Sequence, residues 1–130
     1  MIPGRKYIVT AVLDRLQSLN ARFGQHVGDR VLRALAQRLQ DSFEDSDVLF
    51  RWNGPAIIAM LWRDESIEDV RKSVRHIFDT PFEKEFDIGG RNVLIPIGAA
   101  WSVIGLIPPA VNSFNYIDRF VASQSPRDFC

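Results

Sequence analysis

The chain has 130 residues, 46% of them apolar and 25% charged, and its 16 Lys+Arg against 16 Asp+Glu leave a formal net charge of zero. That balance excludes a disordered polyelectrolyte and a broad electrostatic footprint for nucleic acid or an anionic membrane. The length suits one domain that buries about two-thirds of its extended surface.

Residues 7–13 are apolar and largely β-branched with no polar alternation, which predicts a central strand covered on both faces. Asp14 is placed to cap a short helix reaching Phe23, closed by Gly24. Asp29 is placed to cap a second helix, whose Val31, Leu32, Leu35, Leu39 and Phe43 recur at helical spacing. Residues 41–47 read as an acidic loop. Residues 48–52 and 56–62 read as two strands of a hairpin turning at Asn53-Gly54. Ser66-Ile67-Glu68-Asp69 resembles a capping box with Asp in place of Glu, opening a helix to Phe78 that buries Ile67, Val70, Val74, Ile77 and Phe78.

Residues 86–88 and 92–100 read as another hairpin, turning at Gly89-Gly90, although Pro96 sits badly inside a strand. Residues 102–109 read as an apolar loop, either folded back on the domain or exposed as a contact surface. A last helix covers residues 111–122, with Pro126 ending it. The order β-α-α-β-β-α-β-β-α predicts an α+β sandwich. The uncharged run 93–111 is nearly long enough to span a membrane, but Pro96, Pro108 and Pro109 with Gly98 and Gly105 argue against it. No small-residue cleavage site follows the first apolar stretch, so no signal peptide is expected. The single cysteine, Cys130, allows no intramolecular disulfide, in keeping with a reducing cytoplasm.

Two histidines, His26 and His76, are too few for a metal cluster, and His76 is expected at the surface. No Ser, His and acid set suggests nucleophilic catalysis. Residues 87–92 form a hairpin turn rather than a phosphate-cradling loop.

Residues 13–29, LDRLQSLNARFGQHVGD, carry Asn20, Gly24 and Gly28-Asp29 at a fixed spacing, followed by Val31-Leu32-Arg33-Ala34-Leu35-Ala36. Further on come Asp47, then Arg51-Trp52-Asn53-Gly54-Pro55-Ala56-Ile57, then Val93-Leu94-Ile95-Pro96-Ile97-Gly98. This series resembles a GGDEF domain, whose patterns are D-[IL]-D-x-F-K-x-[IV]-N-D-x-x-G-H-x-x-G-D, V-L-R-x-[LF]-A, D-x-x-x-R-[YW]-G-G-[DE]-E-F and V-T-[IV]-S-[IV]-G. The resemblance covers almost the whole chain, with the last helix matched worst. It implies a nucleotidyl-cyclase-like α+β sandwich with a mainly antiparallel sheet of about five strands. It also implies the family's activity, in which two domains, each holding GTP, condense their substrates to cyclic di-GMP with the help of divalent metal.

The family's metal carboxylates come from the first Asp of D-x-D and the first acidic residue of the signature. Here Val12 stands at the former and Pro55 at the latter, with Ala56 at the second acidic position and Asn53 at the first glycine. Gln17 replaces the family lysine, and Ser123 replaces the phosphate-contacting lysine of the last helix, while Arg127 matches the arginine beyond it. The product-inhibition motif R-x-x-D reads Glu44-Asp45-Ser46-Asp47, an acidic loop that repels a dianionic dinucleotide.

The guanine-reading pair is retained as Asn20 and Asp29, although Asp29 also suits a helix cap and Asn20 a helix end. The expectation is therefore a degenerate, catalytically inactive GGDEF domain, with signature Asn53-Gly54-Pro55-Ala56-Ile57 and no metal or other cofactor. It would be a regulatory or interaction module in a longer cytoplasmic signalling protein, with flanking domains, a partner protein or a second copy as partners. The alternatives are a GTP-binding allosteric domain without turnover and an active cyclase with substitute ligands.

Overall fold

A computed structural model describes residues 5–52, 54–106 and 110–124. Strand β1 (Arg5–Leu13) is the spine of the sheet, buried from Tyr7 onward. It pairs antiparallel on one side with β3 (Ala56–Arg63) and on the other with β6 (Ala99–Gly105). Strand β2 (Val48–Arg51) adds to the far side of β3, giving the order β2-β3-β1-β6. Strands β4 (Glu83–Ile88) and β5 (Arg91–Pro96) form a separate two-stranded sheet. The expected five-stranded sheet is thus four strands plus a small second ribbon.

The unbroken apolar run of β1 is explained by what lies on each face. Ala11 and Leu13 pack with Val31, Leu35 and Leu39 of α2 (Gln25–Ser42), and Tyr7 and Val9 with Val70 and Val74 of α3 (Ile67–Asp79). The alternate residues Ile8 and Val12 pack with Ile117 and Val121 of α4 (Ala110–Gln124). Fully burying each such side chain is worth about 1.5–3 kcal/mol.

Several local expectations hold. Ser66 caps α3, its hydroxyl accepting from the Asp69 N–H at 3.3 Å. Gly89 and Gly90 both take positive φ, 60° and 82°, as a tight hairpin turn requires. His76 is exposed.

Others are corrected. The apolar stretch read as a loop from residue 102 is β6 through Gly105, with Val103 buried among α3 residues and Ile104 packed toward α4. Its lack of charge reflects partial cover on both faces at this sheet edge, with Val103 buried on the α3 side and Ile104 half-buried on the α4 side; residues 107–109 lie outside the described residues. The strand read over 92–100 is really two, because β5 ends at Pro96, which has no N–H to extend a ladder. Helix α2 starts at Gln25, four residues before Asp29. Gly24, at φ 95° and ψ 157°, breaks the chain sharply enough that a single residue separates α1 (Leu16–Phe23) from α2. Asp29 is therefore inside a helix and caps nothing. Asp14 caps nothing either: Arg15 is the residue flanking α1, with no side-chain cap, and the Asp14 N–H donates to the Gly98 carbonyl.

Candidate functional site

The β2–β3 hairpin presents the signature stretch beside the end of β1. The Trp52 N–H donates to the Ala56 carbonyl at 3.0 Å, and the Leu13 N–H to the Pro55 carbonyl at 2.9 Å. Register sets Val12 directly opposite Ala56. The fold thus brings positions 12, 55 and 56 together, as the resemblance implies. What meets there is apolar: Val12 is 2% exposed and Ala56 0%, within a cluster that includes Ile8, Ile58, Ile117 and Val121. Helix α4 is held over this cluster by the Trp52 indole N–H, which donates to Asp118 Oδ1 at 2.8 Å, and by the Trp52–Phe114 ring contact. The sequence reading missed the Trp52–Asp118 tie, since nothing local links residues 66 positions apart.

Arg51 turns the other way. Its guanidinium reaches the Gly54 carbonyl from Nε at 3.4 Å and from Nη2 at 3.2 Å, and lies 3.8 Å from Asp29 Oδ1. Asp29 stays 42% exposed, so this pair is weak on its own. Both residues line a cleft of about 360 Å³ between α2 and β2, floored by Leu32, Leu49 and Ile57. Placed on the helix face rather than at a cap, the Asp29 carboxylate has acceptor positions to offer a ligand.

Asn20 is not in that lining. Its Oδ1 is buried without a hydrogen-bond partner and lies against Gly28, only 1.8 Å from where a Cβ on that glycine would stand. Gly28 is required for this approach, since any Cβ there would overlap the Asn20 amide. Asn20 and Asp29 therefore lie on adjacent helices around Gly28 but do not line one cavity. Ser123 is exposed, its hydroxyl donating to the Phe120 carbonyl. Asn53 and Arg127 lie outside the described residues.

The acidic loop is not simply solvated. The Asp47 side chain is 0% exposed and takes two hydrogen bonds from Arg63, 2.8 Å to Oδ1 and 2.6 Å to Oδ2, while the Glu44 N–H also donates to Oδ2 at 2.8 Å. Burial pushes the Asp47 carboxyl up, but the Arg63 guanidinium and the Glu44 N–H outweigh it and hold its pKa below the ordinary 3.8. The same hydrogen bond raises Arg63 further. Arg63, reaching in from the end of β3, also lies 3.5 Å from the exposed Glu44, so one cation partly offsets the loop's acidic charge. No motif marks Arg63, which only the β3–β2 geometry brings to the loop.

The family model "Diguanylate cyclase, GGDEF domain" matches residues 5–103. The chain belongs to the GGDEF family. Over 63 residues, 48% of its length, it is 30% identical to the diguanylate cyclase DosC of Escherichia coli K12, and over 50 residues 38% identical to DgcM of the same strain. The matches span only 14% and 12% of those relatives. The GGDEF fold is shared with the GGDEF domain of Caulobacter crescentus DgcB in complex with c-di-GMP, at TM-score 0.75 and 15% identity over 92% of this chain and 71% of that one. It is shared equally with the FimX GGDEF domain of Pseudomonas aeruginosa, at TM-score 0.74 and 18% identity over 93% and 75%. A third match is diguanylate cyclase SiaD of the same species in complex with its activator SiaC, at TM-score 0.73 and 17% identity over 93% and 46%. Among the described residues, no helix is long and apolar enough to cross a membrane.

Proposed function

We propose that this GGDEF domain is catalytically silent and serves as a cytoplasmic regulatory or interaction module in cyclic-di-GMP signalling, alongside flanking domains or a partner protein. The observation that carries this reading is the Val12–Ala56 pair, buried under α4. Family catalysis needs divalent metal, and hard cations take oxygen ligands. The side chains of Val12, Pro55 and Ala56 carry none, so the residues present do not fit the metal. Among the described residues, no group of three or more His, Cys, Asp or Glu side chains stands ready as a substitute. The test is turnover. Purified protein at high concentration, given GTP with Mg²⁺ or Mn²⁺, is expected to yield no cyclic di-GMP, and detectable product would overturn the reading.

The cleft beside Asp29 favours a second reading, a guanine-nucleotide-binding domain without turnover. The Asp29 carboxylate could accept from the N1–H and N2–H edge of guanine. Binding is expected to be weak, selective for GTP over ATP and indifferent to metal. Asp29→Asn removes the charge while keeping the shape, and equal binding of ATP and GTP, or an unchanged Asp29→Asn, would refute the assignment.

A further inference from the structure

A different cleft, of about 420 Å³, lies between α1 and β5, away from the signature hairpin. Its walls are apolar, with Leu19 and Phe23 from α1 facing Val93 and Leu94 from β5, and Leu94 is one of the most exposed large apolar side chains among the described residues. Two arginines line it, Arg15 and Arg22. The Arg22 guanidinium sits 5.1 Å from the Phe23 ring centroid. Neither arginine has a carboxylate within ion-pair distance among the described residues.

The one acid in the lining, Asp14, is held at the Gly98 edge. Its N–H donates to the Gly98 carbonyl, and its Oδ2 lies 2.9 Å from where a Cβ on Gly98 would stand. The cleft therefore offers two guanidiniums against one carboxylate. Arg15 also takes φ 62° and ψ 26°, a left-handed conformation that glycine adopts freely and arginine only at a cost. A glycine would make this turn with less strain, and only the side chain distinguishes the residue found there.

We propose that this cleft binds a small aromatic monoanion, its apolar body between Leu19, Phe23 and Leu94 and its acidic group on Arg15 and Arg22. The volume lies within the range of small-molecule sites, and mostly apolar walls with a few convergent polar groups are their usual lining. Guanidinium recognises a planar or tetrahedral oxyanion through paired N–H donors. The site is independent of the guanine edge at Asp29 and of metal, so its failure and the failure of the functional reading are separately visible.

The probe is 8-anilinonaphthalene-1-sulfonate, titrated into the 130-residue chain by fluorescence and located by amide chemical shifts. N-phenyl-1-naphthylamine, the same ring system without the sulfonate, is the neutral comparison. The sulfonate is expected to shift amides of Arg15, Leu19, Arg22 and Leu94, and to bind about tenfold or more tightly than the neutral dye, as charge-assisted hydrogen bonds require. Arg22→Gln and Arg15→Gly are each expected to weaken sulfonate binding several-fold. Arg15→Gly should do so without lowering Tm, because the glycine relieves the backbone. Equal affinity for the two dyes, unchanged binding in both variants, or shifts confined to another surface would each overturn the proposal.

Discussion

Replacing Val12 with Asp restores a carboxylate at the position where active GGDEF domains are expected to hold metal, and the structure predicts a heavy cost. Val12 is 2% exposed, with Ala56, Ile117 and Val121 around it and no basic side chain in that cluster. A carboxyl placed there without a partner has its pKa raised by roughly 3 units or more above the unfolded value of about 3.9. At about 1.4 kcal/mol per unit, the charge penalty at neutral pH is about 4 kcal/mol. Exchanging the buried valine for even a neutral carboxyl adds about 2 kcal/mol. The sum, about 6 kcal/mol, rivals the whole stability of a typical domain.

The charge part has a fixed sign with pH. Because the folded-state pKa is the higher one, the penalty is absent below about pH 4 and grows by about 1.4 kcal/mol per unit until the folded pKa is reached. Between pH 5 and 7 the gap between native and Val12→Asp proteins should widen by about 2.5 kcal/mol. Urea denaturation across that range, followed by tryptophan fluorescence, measures it. A Val12→Asp protein that loses under about 1 kcal/mol with no pH dependence would show a hydrated, open site. That result would refute the argument that α4 seals Val12 and Ala56 in apolar contact.

Four further outcomes follow from particular contacts. Asp47→Asn should cost about 2–3 kcal/mol at neutral pH by breaking a buried, doubly hydrogen-bonded partner of Arg63; since the folded pKa of Asp47 lies below 3.8, that stabilisation is full above this value, and the two proteins should converge as pH falls through the folded pKa in acid titration of unfolding. Gly28→Ala should be destabilising by about 1–2 kcal/mol, because collisions with Asn20 and with Leu16 Cδ1 outweigh the gain in helix propensity of about 1 kcal/mol. The same change in an Asn20→Ala background should cost less, since only the Leu16 Cδ1 contact remains, and a double-mutant cycle reads the difference directly. Ser66→Ala should cost about 1 kcal/mol in thermal unfolding through loss of the α3 cap.

Elements whose signal is local were legible in the sequence. The hairpin turns at Gly54 and Gly89-Gly90, the Ser66 cap and the amphipathic stripe of α3 each depend on a few neighbouring residues, and each is in place. Legibility failed at 14, 29 and 102–105, where one residue type serves two structures. Aspartate is a good cap, but a glycine at 24 already breaks the chain, which leaves Asp29 free to face the β2 side of α2. An uncharged run looks the same whether it is an apolar loop or a strand covered on both faces, and only pairing with β1 distinguishes them.

For the candidate site, the chemistry present is legible in the chain: which positions carry oxygen ligands and which carry only hydrocarbon. Side-chain identity is a covalent property, and no folding adds a carboxylate to Val12, Pro55 or Ala56. How these groups are packed and paired was set by contacts between distant parts of the chain. Register placed Val12 against Ala56, the close approach at Gly28 left the Asn20 oxygen buried and unpaired, and the β3–β2 geometry carried Arg63 to Asp47. Such meetings depend on strand pairing and helix packing between residues far apart in the chain, where the energy of each contact is set by what surrounds it rather than by the residues on either side in sequence.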